Sequence, residues 1–112
     1  MKRKNNMVRV IPSSGNVFAD LRVRNAEDKQ TKVRLAIEIN HIIRAQGYSQ
    51  ADAARRLKIN QPKISALSNY RLDGFSVERL MTFLTGLNCD VEILIRRRPQ
   101  SRKSARILVT AA

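Results

Sequence analysis

Acidic residues are scarce in this chain. Nine Asp and Glu stand against 22 Lys and Arg over 112 residues, a formal net charge of +13. That surplus exceeds what solubility requires and favours a polyanionic partner, because each phosphate bound releases condensed counterions. A single cysteine, Cys89, excludes a disulfide framework and a cysteine-rich zinc site, and it fits a reducing cytoplasm. Tryptophan is missing and there are only three Phe and two Tyr, which disfavours modules that stack unpaired RNA bases on aromatic platforms. No apolar run approaches the ~18 residues of a membrane span. The opening MKRKNNMVRVIPSSGN is basic but lacks the apolar core of a signal peptide. His41 has no second histidine at metal-ligand spacing, and Glu78 and Glu92 form no catalytic pair. The expectation is one soluble cytoplasmic domain that is not an enzyme and uses no metal or cofactor.

What is present is mostly helical pattern. Residues 1–16 read as a flexible basic arm, with Val8, Val10 and Ile11 as a marginal edge strand and Ser13-Ser14-Gly15-Asn16 as a turn. Val17–Leu21 reads as an apolar clasp. Asn25 offers a helix cap with Glu27 and Asp28 in the first turn. Val33, Ala36, Ile37, Ile39, Ile42 and Ile43 then recur at helical spacing, with Lys32, Arg34, Glu38 and Arg44 facing outward, until Gly47 supplies a left-handed stop. Ser49 with Asp52 makes a capping box for a helix over 50–57. Asn60 caps another from Gln61 to about Asn69, where Pro62 in the first turn removes no intrahelical bond. An Asp-Gly turn follows, and Ser76 caps a last helix over 77–87 that Asn88 ends.

The segment SQADAARRLKINQPKISALSN (49–69) holds two short helices joined by a tight turn, a geometry that leaves one side of the second free. Ala53 and Ala54 permit close approach, and Ile59, Ile64 and Leu67 fill the angle between the helices. The outer side is then Gln61, Pro62, Lys63, Ser65, Ala66 and Asn69, with no carboxylate to repel phosphate. Gln61 presents a donor and an acceptor to a base edge, Lys63 reaches guanine acceptors or phosphate, and Pro62 and Ala66 suit a thymine methyl. Tyr70 and Arg71 follow where the DNA backbone should pass. Asn60, at the helix start, is grouped with these DNA-facing positions.

Gln50, Ala54, Ile59, Gln61, Ile64, Ser65 and Leu67 also match the spacing Q-x3-A-x4-[IV]-x-Q-x2-[IV]-S-x-L. In this the chain resembles the Xre/Cro-type helix-turn-helix family, departing from it at Lys58, where glycine is common. NVFADL (16–21), LDGFS (72–76) and ERLMTFLTGLNCDVEI (78–93) extend the likeness to HigA-like antitoxins of that class over residues 15–98. The resemblance implies a five-helix-like domain with a C-terminal strand, DNA-binding autorepression and neutralisation of a RelE/HigB-like ribonuclease toxin. It also implies that Gln50 clamps a phosphate, that Gln61, Pro62, Ser65 and Ala66 face bases, and that Asn69 contacts phosphate.

Val91, Ile93 and Ile95 alternate with Glu92 and Leu94, which predicts a strand, and a strand needs a partner for its backbone. Pairing in a two-fold homodimer would set recognition helices about 34–36 Å apart; the same chain's Val8–Ile11 or a toxin strand are the alternatives. Residues 97–112 read as a basic disordered tail. The expected fold is mostly α, a compact lambda-repressor-like domain over 17–96 with a short C-terminal β-strand. The expected function is operator-binding repression of double-stranded DNA, most simply as an antitoxin, with a stand-alone regulator or an RNA-binding module as competing readings.

Overall fold

The computed structural model describes residues 14–112, with side chains from Arg24 onward. Four helices occur in order: α1 Ser14–Ala45, α2 Gln50–Leu57, α3 Gln61–Ser68 and α4 Val77–Gly86. The edge strand suggested at Val8–Ile11 and most of the basic arm lie outside the described residues.

Capping chemistry sets the three short helices where the sequence places it. The Ser49 hydroxyl accepts the Asp52 N–H at 3.0 Å and the Asp52 carboxylate accepts the Ser49 N–H at 3.2 Å, a complete capping box. Asn60 Oδ1 accepts from the Lys63 N–H at 2.9 Å, and Ser76 Oγ from the Arg79 N–H at 3.0 Å. All four helices close with one device, a residue of positive φ followed by paired backbone bonds. At α2, Lys58 N–H donates to Arg55 and Ile59 N–H to Ala54; at α3, Tyr70 donates to Leu67 and Arg71 to Ala66. Gly47 and Asn88 do the same for α1 and α4. Only one of the four closing residues is glycine: φ is 58° at Lys58, 59° at Tyr70, 68° at Asn88 and 69° at Gly47. The left-handed conformation crowds a Cβ against the backbone and costs a non-glycine residue about 1–2 kcal/mol. Lys58→Gly should therefore raise stability by about 0.5–1 kcal/mol, the remainder lost to the looser unfolded chain; the midpoint of urea denaturation measures it, and a lower midpoint would refute it.

α1 departs from expectation at its start. It runs unbroken through Asn25, so that residue caps nothing, and residues 16–21 are helical instead of forming a separate clasp. The five-helix-like count therefore becomes four among the described residues. From Arg24 to Gln30 no side chain is buried, and burial begins at Thr31. α1 then lies along α4 and touches α3, while α2 crosses α3 and meets α4. Leu35, Ala36 and Ile39 from α1 join Ala53, Ala54 and Leu57, Ile64 and Leu67, and Leu80, Phe83, Leu84 and Leu87 in one core. Val33 and Ile37, expected inside, are 40% and 46% exposed. The connection after α3 contributes to the interior: Leu72 and Phe75 are both buried, joined by a turn in which Phe75 N–H donates to the Leu72 carbonyl at 3.0 Å. Phe75 meets Phe83 edge-on, centroids 5.7 Å apart.

The C-terminal β-strand is not formed. Among the described residues there is no strand, and residues 91–95 make no backbone hydrogen bond. Alternation of side chains supplies a pattern, but a ladder requires a second backbone, and none of the described residues lies alongside as one.

Candidate nucleic-acid interface

α3 has two unlike sides. At 100° per residue, Ile64 and Leu67 fall together and are buried, at 1% and 0% exposure. Pro62, Ser65, Ala66 and Asn69 centre on the opposite side, flanked by Gln61 and Lys63. Gln61, Pro62 and Asn69 are exposed; Lys63, Ser65 and Ala66 are half-buried. Gln50, at the first position of α2, is exposed as well. On this side of α3, then, Gln61, Pro62 and Asn69 reach solvent, while Ala66 packs partly against the core.

Several of these side chains have internal duties. Asn60 spends its carbonyl oxygen on the cap of α3, which leaves its amide nitrogen for an outside partner. Asn69 donates from Nδ2 to the Ser65 carbonyl at 2.9 Å, and Oδ1 is left as an acceptor. The Lys63 ammonium lies 5.4 Å above the Phe75 ring, an attraction to the face of the aromatic quadrupole. Tyr70 and Arg71 are both exposed. The helix-ending bonds of Tyr70 and Arg71 fix the backbone that carries these two side chains.

From Lys58 to Leu72 there is no acid, while Lys58, Lys63 and Arg71 contribute charge. The nearest carboxylate before this run, Asp52, is occupied by Ser49 and Arg55. The Ser49 backbone N–H, then the Ser49 hydroxyl and the Arg55 charge, hold the Asp52 carboxyl below its ordinary value. A depressed carboxyl stabilises the fold above its unfolded pKa and loses that contribution as pH falls through the folded one. The box is thus intact at neutral pH.

One residue of the site escaped sequence reasoning. Asn40 of α1 is buried, and its Nδ2 donates to the Leu67 carbonyl at 3.1 Å. This bond fastens the end of α3 to the long helix. Its only signal in the sequence is a polar residue set inside an apolar stripe.

The residues expected to pair two copies are split. Val91 is half-buried against this chain's own core, whereas Ile93 and Ile95 are 74% and 88% exposed. Cys89 is half-buried beside them. Among the described residues no group of three His, Cys, Asp or Glu could hold a metal ion, and no helix is long and apolar enough to cross a membrane.

A boxed helix, a left-handed turn at Lys58 and a capped second helix with a free outer side define a helix-turn-helix protein. The comparisons agree: the chain belongs to the family described as helix-turn-helix domain, which it matches over residues 17–96. A solved structure provisionally named an XRE family transcriptional regulator is 61% identical and superposes with a TM-score of 0.77, over 79% of this chain and 99% of that one. The helix-turn-helix is of the Xre type. No curated protein matches the chain.

Proposed function

We propose that the chain is a sequence-specific repressor that binds double-stranded DNA as a homodimer, and that it is the antitoxin of a type II pair. The observation that carries the DNA reading is the acid-free, partly exposed outer side of α3, opposite the buried Ile64 and Leu67. Such a helix fits the major groove, where Gln61 reads a base edge and Ser65 and Ala66 lie against neighbouring bases. Gln50, Asn69 and Arg71 hold phosphates and so set register, not sequence.

These two roles separate in a gel-shift titration at several salt concentrations. Gln61→Ala should cost roughly 1–3 kcal/mol and relax discrimination at one base pair. Arg71→Ala should weaken all sequences alike and lower the salt slope by about one unit. Identical behaviour of the two variants would sink the assignment.

Dimerisation is supported by the unpaired backbone and exposed Ile93 and Ile95 beyond α4. Pairing of two such segments satisfies both. A monomeric mass by light scattering, without DNA, would remove it. The antitoxin reading is supported by the likeness of LDGFS and ERLMTFLTGLNCDVEI to HigA-like antitoxins, with a RelE/HigB-like ribonuclease as the toxin. A stand-alone regulator is the second reading, favoured by the name of the 61% identical structure, that of a transcriptional regulator. An adjoining reading frame of about a hundred codons, toxic when expressed alone and silenced by this chain, decides for the antitoxin; its absence decides for the regulator.

A further inference from the structure

The family match stops at residue 96, yet the chain continues through Arg97, Arg98, Arg102, Lys103 and Arg106 with no acid after Glu92. This tail is tied back to the domain. Val109 is half-buried against the core, and the Arg34 guanidinium of α1 reaches the Ile107 carbonyl at 3.5 Å, the outer limit of a hydrogen bond. Before these ties the tail bends. Arg102 N–H donates to the Pro99 carbonyl at 3.2 Å, and the Arg98 guanidinium donates to the carbonyls of Pro99 and Arg102. The bend gathers Arg97, Arg98, Arg102 and Lys103, and none of them has a carboxylate partner among the described residues.

Like charges collected this way repel one another, so the arrangement suits a chain of counter-charges. Arginine predominates, and its planar fork matches phosphate oxygens two at a time. Arg34 stands six positions before Asn40, the residue that holds the end of α3. The tie therefore lies roughly 9 Å along α1 from Asn40 and about a third of a turn around it, an offset well inside one turn of a duplex, about 34 Å.

We infer that residues 96–106 form a second, sequence-independent clamp on phosphates of the same duplex, beside the groove that α3 enters. The inference rests on α3 reading duplex DNA. Its test compares the full chain with a variant carrying Arg96→Gln, Arg97→Gln, Lys103→Gln and Arg106→Gln. All four positions are exposed, so circular dichroism should show the same helix content and thermal midpoint. The probes are a duplex enriched from a random library by the intact chain and a random-sequence duplex of equal length, with polyglutamate as competitor.

The slope of log affinity against log salt should fall by about two to three units on both duplexes, with their affinity ratio preserved. An unchanged slope overturns the clamp. So does a loss confined to the enriched duplex, or polyglutamate displacing the chain as well as random duplex does, which would point to an acidic protein instead. If the intact chain enriches no sequence while the slope still falls on random duplex, phosphate binding by the tail stands and the reading of α3 falls.

Discussion

Ile64→Ala is expected to destabilise the fold by about 2–5 kcal/mol. Ile64 is 1% exposed on the inner side of α3, and truncation leaves a cavity between α3 and its neighbours that a short helix, pinned at both ends, cannot close. Gln61, one turn earlier at the flank of the outer side and exposed, should show the reverse: a stability change within about 0.5 kcal/mol and a large change in binding. Urea denaturation of both variants beside duplex titration gives the crossed comparison. If Gln61→Ala also lost several kcal/mol, the outer side of α3 would be structural, and its free status in this chain would have no bearing on recognition.

Asn40→Asp should be nearly as damaging, roughly 3 kcal/mol at neutral pH. The substitution replaces an amide that donates to the Leu67 carbonyl with a carboxylate that faces it oxygen to oxygen, out of water. Burial and the carbonyl both disfavour the charged form, so the new group's folded pKa lies above the ordinary Asp value of about 3.9. A raised folded pKa means that the deficit relative to the parent is smallest at low pH and grows as pH rises through that pKa. Denaturation midpoints of parent and variant between pH 4 and pH 7 measure the gap. A gap that stays constant with pH would mean that Asn40 holds α3 by shape alone. Because the bond secures the end of α3, the variant that remains folded should also discriminate less well among duplexes.

The short helices were legible because their determinants are local. Ser49 with Asp52, Asn60 with Pro62, and Ser76 each act within one turn, so four or five residues suffice to place a helix start. The ends at Gly47 and Asn88 are equally local. α1 was harder. Val33, Ala36 and Ile37 make one apolar track and Leu35, Ala36 and Ile39 another, and both have helical spacing. Which of the two meets the core depends on α4, far away in sequence. Its start was misplaced because Asn25 and Ser14–Asn16 have the composition of caps and turns, yet each is also compatible with a helical conformation. Leu72 and Phe75 sit beside an Asp-Gly turn, and no periodicity announces a buried loop. The segment Val91–Ile95 fails for a related reason: alternation describes one edge, and pairing is a property of two. For the interface, the outer residues of α3 could be read from spacing, whereas Asn40 could not, since a hydrogen bond across 27 positions leaves no trace in a window.

The ammonium of Lys63 resting above Phe75 gives that side chain a defined home before any encounter. A lysine free in solvent gives up its rotational freedom on meeting a partner; this one has surrendered part of it already. If α3 reads a duplex as proposed, Lys63 must exchange one partner for another, and the buried Phe75 ring sets how readily the swap occurs.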